Sequence, residues 1–145
     1  MVSQVKKYMT KEVTTIDYDA NVTDAAKIMT VDKDYRGYVI VLQKGKPKGI
    51  VTEKDLVNKV IVGGLDPAKT SVSEIMSTPL ITVDPEDDLL KASQVMKEQN
   101  VRKLIVIRDE IIYGIITAKI ISQNVQDYVD RSIRDIVRWT ASLGI

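Results

Sequence analysis

Apolar residues follow a helical spacing in two parts of the chain and form continuous runs in two others. Residues 21–31 carry apolar side chains at intervals of three and four, and the same spacing returns after Asp84, so both segments are predicted to be amphipathic helices. The runs at residues 38–42 and 103–107 are typical of strands that are buried on both faces. The helical faces consist of Val22, Ala25, Ala26 and Met29 in the first segment and of Leu89, Ala92, Ser93 and Met96 in the second.

Capping and turn residues indicate where these segments begin and end. Asp84 followed by Pro85 predicts a helix start, since aspartate is a preferred N-cap and proline a preferred first helical residue. Gly63 and Gly64 predict the end of another helix, which starts near Thr52. Each half of the chain is therefore predicted to contain a short strand, a helix, two strands and a second helix, in a mixed α/β arrangement. The turns are predicted at residues 45–47 and 108–110, and the return strands at residues 49–51 and 114–116.

The two halves of the chain are copies of one another. Residues 5–10 return 67 positions later, and residues 49–52 return 65 positions later. The first copy therefore contains two extra residues between Met29 and Arg36, where a loop is predicted. A unit this small cannot bury its own core, so the copies are expected to pack together about a pseudo-two-fold axis. We assign residues 1–66 to repeat 1, residues 67–121 to repeat 2 and residues 122–145 to a C-terminal amphipathic helix, all in one module.

Composition excludes several classes of function. The 145 residues include no cysteine and no histidine, which excludes disulfides, Cys/His metal sites, thiol nucleophiles and imidazole catalysis. The 21 basic and 20 acidic residues are interspersed, so the net charge of +1 gives no sign of a nucleic-acid surface. No apolar run is long enough to span a membrane, and residues 1–11 do not form a signal peptide. We expect a cytoplasmic protein without catalytic or metal-binding residues, which binds neither nucleic acid nor membranes.

The repeated unit resembles a CBS domain. The resemblance rests on the order of the elements, on the Val-x-x-x-Met-[Thr/Ser] opening of each copy, and on Gly-x-x-Thr-x-x-Asp at residues 49–55. The two copies together resemble a CBS pair, often called a Bateman module, over about residues 3–121. This resemblance implies the CBS-pair fold and a regulatory role in which an adenine nucleotide or a related adenosyl ligand is bound.

Two residues of the Gly-x-x-Thr-x-x-Asp motif have side chains suited to a nucleotide. Asp55 lies one turn into the helix that begins near Thr52, so both side chains are expected to face the same cleft. A carboxylate can accept hydrogen bonds from both hydroxyls of a ribose, and such charge-assisted bonds are strong. The hydroxyl of Thr52 and the free amides of the helix start suit a phosphate oxygen.

The resemblance implies that the other ligand contacts come mainly from repeat 2. Backbone groups of Leu80 and Ile81 would meet the adenine, and Arg102 and Lys103 would meet the phosphates. It also places Ile50 of repeat 1 beside the adenine. The implied ligand is AMP, ADP or ATP, acting as a regulatory ligand rather than as an obligatory cofactor.

The equivalent cleft on the other side of the pseudo-two-fold axis lacks these groups. Ile120 corresponds to Asp55, and an isoleucine cannot accept a hydrogen bond from a hydroxyl. Gly37 and Tyr38 correspond to Arg102 and Lys103 and offer a phosphate no charge. The ribose and phosphate groups come from different repeats, yet they are kept together in one cleft and missing together in the other. This asymmetry is the main argument for one nucleotide site per chain.

Simpler interpretations of these residues remain open. Thr52 and Asp55 also form a capping box, in which each side chain satisfies a backbone amide of the helix start. Arg102 and Lys103 would be ordinary solvated charges if the cleft bound nothing. The alternatives for the whole module are a structural dimerisation unit with a vestigial cleft and a binder of another adenosyl ligand such as S-adenosylmethionine. An enzyme is disfavoured, because the chain has no paired acid–base residues and no Walker-type loop.

The C-terminal segment and the duplicated helices predict self-association. Residues 122–145 carry an apolar stripe opposite a face of mixed charge, and packing on its own module or on a partner are both open for it. Duplicated apolar helices leave more exposed apolar surface than one module can cover, so we expect a homodimer. We also expect a further partner, an unidentified protein that the module regulates. The stripe consists of Val125, Tyr128, Val129, Ser132, Ile133, Ile136 and Thr140.

Overall fold

Each repeat forms a three-stranded sheet flanked by helices in this computed structural model. The structure describes residues 4–31, residues 37–124 and the isolated residues Arg134, Arg138 and Ala141. Of the loop predicted between Met29 and Arg36, residues 30 and 31 are helical and the following residues lie outside the described ones, as does all of the C-terminal stripe. The elements of repeat 1 are a 3₁₀ turn at Val5–Lys7, β1 at Thr15–Asp17, α1 at Val22–Val31, β2 at Tyr38–Gln43, β3 at Lys46–Thr52 and α2 at Glu53–Asp55, which continues as a π-helical stretch at Leu56–Ile61. Those of repeat 2 are α3 at Val72–Ile75, β4 at Thr82–Val83, α4 at Leu89–Gln99, β5 at Lys103–Arg108 and β6 at Ile111–Thr117.

The two sheets have the same topology and the same irregularity. In each sheet the first strand is parallel to the second, and the second is antiparallel to the third. The register shifts between Val41 and Leu42 in repeat 1 and between Val106 and Ile107 in repeat 2, at positions 65 residues apart. A helix also follows Thr117 and is described from residue 118 to residue 124. The mixed α/β fold of two β-α-β-β-α repeats is therefore confirmed.

The repeats exchange their opening segments. Val5, fully buried, packs in the core of repeat 2, whereas Val72 and Ile75, which precede the strands of repeat 2, pack in the core of repeat 1. The backbone bridges that hold these segments are equivalent in the two halves, and each joins one repeat to the other. They are Gln4 with Asp88, Asn21 with Ser71, Thr10 with Ile115, and Ile50 with Ser77. The sequence repeats at 1–66 and 67–121 are consequently not the packing units.

A third apolar cluster lies between the two sheets. Tyr38 and Ile40 of β2 meet Ile105 of β5 and Ile115 of β6, and all four are buried. Side chains alternate between the faces of a strand, so Lys103 lies on the same face of β5 as Ile105. The candidate cleft is at this junction of the two repeats.

The predicted start of the second amphipathic helix is wrong. The helix begins at Leu89, and its N-cap is Asp88, whose side chain accepts a hydrogen bond from the amide of Lys91 at 2.7 Å. Residues 84–87 instead form a turn whose carbonyls bond the opening segment: the amide of Val5 donates to Asp87 and that of Lys6 to Pro85. A contact between repeats therefore overrides a local capping signal.

Each predicted turn is one residue too long, and the return strands are longer than expected. Lys46 and Pro47 belong to β3, and Arg108 belongs to β5. The turn residues are Lys44 and Gly45 in repeat 1, with φ of 52° and 77°, and Asp109 and Glu110 in repeat 2, with φ of 53° and 63°. Positive φ at both central residues is the geometry that matches the twist of a tight hairpin.

The two hairpin turns provide a matched stability test. Glu110→Gly is expected to stabilise the protein by about 1 kcal/mol, because glycine adopts positive φ without a steric penalty. Gly45→Ala is expected to destabilise it by a similar amount. A Cβ there would contact nothing within 4 Å, so the cost is that of holding alanine at a positive φ. The Lys46–Glu110 ion pair of 3.2 Å is largely exposed and contributes little. Urea unfolding checks both variants, and effects of the same sign would contradict the argument.

One ion pair joins the opening segment to repeat 2, and a second one holds the turn of repeat 2 that this segment contacts. Lys6 Nζ lies 2.8 Å from the carboxylate of Glu86, and both nitrogens of the Arg108 guanidinium that face Asp84 donate to its carboxylate. The hydrogen bond from Arg108 lowers the pKa of Asp84, and the hydrogen bond from Lys6 lowers the pKa of Glu86. Asp84 in turn raises the pKa of Arg108.

Acid is expected to loosen this attachment. Carboxyls whose pKa is lowered by folding stabilise the folded state above their unfolded pKa, and this contribution is lost as the pH falls through the folded value. Protection of the Val5 and Lys6 amides against hydrogen exchange, relative to global stability, is thus expected to fall below about pH 4. The variant Glu86→Gln should remove part of this pH dependence, and an unchanged profile in that variant would contradict it.

Candidate functional site

Asp55 caps the helix that begins after β3. Thr52 ends β3 in an extended conformation, with φ of −116° and ψ of 170°, and the next residues turn into α2. The amide and the hydroxyl of Thr52 donate to Oδ2 of Asp55 at 3.0 and 3.2 Å. The capping box that the sequence predicts is therefore confirmed.

The second oxygen of the same carboxylate has two further partners. Asp55 Oδ1 accepts a hydrogen bond from Ser77 Oγ at 2.8 Å and lies 2.9 Å from Lys59 Nζ. Lys59 also donates to the carbonyl of Ile75 at 2.8 Å. Sequence reasoning named neither Ser77 nor Lys59 as a site residue. The signals were present: Lys59 is four residues after Asp55, the spacing of a helical ion pair, and Ser77 belongs to the repeated Met-[Thr/Ser] opening.

The segment after Ser77 lies against β3. Ser77 and Ile50 exchange two backbone hydrogen bonds, of 2.8 and 3.0 Å, and a cis peptide bond follows at Thr78–Pro79. Leu80 and Ile50 then pack against the same intersheet cluster. The carbonyl of Ile81 accepts the amide of Ile105 at 3.2 Å. The structure thus joins Ile50, Thr52 and Asp55 of repeat 1 to the predicted adenine-contacting segment of repeat 2.

Arg102 and Lys103 lie at the start of β5, beside the helix start of their own repeat. Lys103 pairs with Thr117, and the carbonyl of Arg102 accepts the amide of Ala118 at 2.9 Å. Arg102 is exposed and Lys103 half-buried, and neither side chain forms a hydrogen bond or an ion pair with the part of the chain that is described. The direct contacts of the basic pair are therefore with Thr117 and Ala118 rather than with Asp55.

The positions that correspond to Asp55 and to Arg102 in the opposite repeats carry different groups. The amide of Ile120 donates to Thr117 Oγ1 at 3.2 Å, so this helix keeps its threonine cap without a carboxylate. Gly37 is buried, with φ of 68°, and a Cβ at this position would lie 2.6 Å from Oε1 of Glu53. Gly37 therefore lies beside the side chain of Glu53, and the next residue, Tyr38, pairs with Thr52, so both positions are at the start of α2.

The described ranges contain few other candidates for chemistry. Within residues 4–31 and 37–124, no group of three or more acidic residues is arranged to hold a metal ion. None of the helices described there is both long enough and apolar enough to cross a membrane.

Comparisons with known proteins identify the family. The family model of the CBS domain matches residues 3–62 and 72–127. The CBS domain-containing protein YhcV of Bacillus subtilis is 33% identical over 116 residues, which cover 79% of this chain and 80% of that protein. Several other curated relatives are longer, and the chain spans about half of their length.

Solved structures agree with this similarity. A conserved protein from Pyrococcus horikoshii superposes with a TM-score of 0.78 at 26% identity, covering 86% of this chain and 93% of that one. A hexameric CBS-CP12 protein from bloom-forming cyanobacteria superposes with a TM-score of 0.76 at 31% identity, covering 98% of this chain and 84% of that one. The two matched repeats, their exchanged opening segments and these relatives lead to one conclusion: the chain belongs to the CBS domain family, as a tandem pair.

Proposed function

We propose that this CBS pair binds one adenine nucleotide per chain in the cleft between its repeats and that occupancy of the cleft regulates a partner protein. A CBS pair is in general a regulatory or sensor module, and the comparisons indicate no catalytic family. The binding residues are Ile50, Thr52, Asp55, Leu80, Ile81, Arg102 and Lys103.

The observation that carries the proposal is the asymmetry between the two clefts. The resemblance assigns to one cleft a buried carboxylate, Asp55, and two cations, Arg102 and Lys103, which have no ion-pair partner among the described residues. The residues at the corresponding positions of the opposite repeats are Ile120, Gly37 and Tyr38, none of which is charged. The charge pattern thus favours an anionic ligand in one cleft alone.

A thermal shift screen tests this function. AMP, ADP, ATP and S-adenosylmethionine are added separately, because a ligand that binds only the native state raises its unfolding temperature. We expect an adenine nucleotide to raise the midpoint. Calorimetry should then give one site per chain, and a stoichiometry of two equal sites would contradict the asymmetry argument.

The charge of Arg102 should matter for the phosphates alone. Arg102→Ala is expected to weaken binding of AMP and ATP more than binding of adenosine, and the difference should shrink as the salt concentration rises, because the interaction is between partly exposed charges. Lys97→Ala, which removes an exposed charge in the last turn of α4, is the matched control. Equal losses for adenosine and AMP would contradict this role.

One observation favours a second function, a structural dimerisation module with a vestigial cleft. The π-helical stretch after α2 and the residues that follow it expose four apolar side chains, Val57, Ile61, Val62 and Leu65. The cyanobacterial CBS-CP12 relative is hexameric. We propose that this chain forms a homodimer through its helix faces. Sedimentation that shows only a 16.2 kDa species at tens of micromolar would remove this claim.

A further inference from the structure

The carboxylate of Asp55 has no free position for a ligand. Its Oδ2 accepts two hydrogen bonds from Thr52, and its Oδ1 accepts one from Ser77 and faces the ammonium group of Lys59. A carboxylate offers about four acceptor positions, so all of them are filled. Asp55 is only 5% exposed. A ribose can therefore reach this carboxylate only if one of the present donors leaves.

The four donors differ in how easily they can leave. The donors to Oδ2 belong to Thr52 itself, and losing them would undo the helix cap. The donors to Oδ1 come from separate parts of the chain. The side chain of Lys59 is 42% exposed, so its ammonium group can regain water when it moves away. The hydroxyl of Ser77, itself an exposed residue, can also turn away, but Lys59 is the donor that bonds the carbonyl of Ile75 at the same time.

Lys59 also links the cleft to the exchanged segment. Its second hydrogen bond goes to the carbonyl of Ile75, the last residue of α3, which packs in the core of the other repeat. Lys59 itself lies within the π-helical stretch at Leu56–Ile61. This backbone form is rare in proteins, and where it occurs it is often at a functional site. Movement of this one side chain therefore changes the contact between α2 and the opening segment of repeat 2.

We propose that Lys59 is an internal competitor of the ligand, a latch that occupies Asp55 while the cleft is empty and leaves both Asp55 and Ile75 when a ribose binds. This inference rests on the proposed nucleotide site. The apparent affinity is the intrinsic affinity multiplied by the fraction of molecules in which the latch is open. The same event that fills the cleft frees the last carbonyl of α3.

Calorimetry with adenosine and with AMP tests the latch. Lys59→Met keeps most of the side-chain length and removes the ammonium group, and Lys97→Met is the control for charge. With an open fraction near 10%, Lys59→Met should bind both ligands about tenfold more tightly than the wild type, and Lys97→Met should not. The gain should vanish when Asp55→Ala is present, because the latch then has nothing to compete for.

A second measurement uses the unaltered protein. Acetylation of Lys59 by an amine-reactive ester, followed by mass spectrometry and compared with Lys97, should become faster when adenosine saturates the cleft. Adenosine has no phosphate, so protection by a phosphate contact cannot confuse the result. Unchanged or slower acetylation overturns the latch, whether or not Lys59→Met folds.

The outcomes separate the latch from the nucleotide site. If the wild type binds AMP in an Asp55-dependent manner but Lys59→Met binds it no more tightly, the latch is wrong and the site stands. If Lys59→Met weakens AMP but not adenosine, Lys59 is a phosphate contact and the latch is again wrong. If the wild type and Lys59→Met both bind neither ligand, the proposed site fails and the latch fails with it.

Discussion

Replacing Asp55 with alanine is expected to weaken binding of an adenine nucleotide about thirtyfold, or about 2 kcal/mol, as is typical when buried donors lose a charged acceptor. The ribose hydroxyls would lose their carboxylate. The same change removes the cap of α2 and leaves Lys59 and Ser77 without their shared partner, so stability should fall as well. Calorimetry measures the affinity, and urea unfolding measures the stability of the empty protein.

The control for this prediction is another helix cap. Asp88→Ala removes the side-chain acceptor at the start of α4 and should lower stability by about 1 kcal/mol. It should leave the affinity unchanged, because no proposed binding residue lies at that helix start. Wild-type affinity in Asp55→Ala, with a loss of stability like that of Asp88→Ala, would mean that Asp55 is a helix cap and nothing more.

Replacing Ile75 with alanine is expected to destabilise the protein by about 3 kcal/mol, as is usual for a large core residue cut down to a methyl group. Ile75 is 1% exposed and packs among the core residues of repeat 1, although it belongs to repeat 2 by sequence. Ile111→Ala is the matched control, since Ile111 is 58% exposed and lies outside the proposed dimer surface, and it should change stability by less than about 1 kcal/mol. Urea unfolding measures both.

The sheet that first loses amide protection in Ile75→Ala tests whether the repeats exchange their opening segments. Hydrogen exchange in Ile75→Ala should quicken first in β2 and β3, whose sheet covers this core, and later in β5 and β6. If β5 and β6 were the first to lose protection, the opening segment would support its own repeat, contrary to the exchanged arrangement.

The sequence could predict the elements because their signals are local. The helical spacing of Val22, Ala25 and Met29 can be recognised within a few residues of sequence, and so can the apolar run of β2. Where an element begins depended instead on distant groups. Asp84 and Pro85 form a good start signal, but the carbonyls of this turn receive the opening segment of repeat 1, so the helix starts at Leu89.

The candidate site also combines residues with local sequence signals and residues placed by distant contacts. Thr52 and Asp55 were found because a strand end followed by Thr-x-x-Asp is a motif within a few residues. Ser77 is 22 residues from Asp55 along the chain, and its approach depends on how the opening of repeat 2 lies against β3. The role of Asp55 toward a ribose, and the phosphate role of Arg102 and Lys103, stay predictions.

The sequence by itself determined that the chain is a duplicated α/β unit, because repeated residues at a nearly constant offset must form repeated structure. It also determined the chemical difference between the two clefts, because Asp55 and Ile120 occupy equivalent positions. Only the tertiary structure decided that each repeat completes the other's core and that Asp55 already has four donors. The physical reason is that a periodicity records which face of an element is apolar, whereas the partner of that face, or of a carboxylate, is set by contacts between segments far apart in the chain.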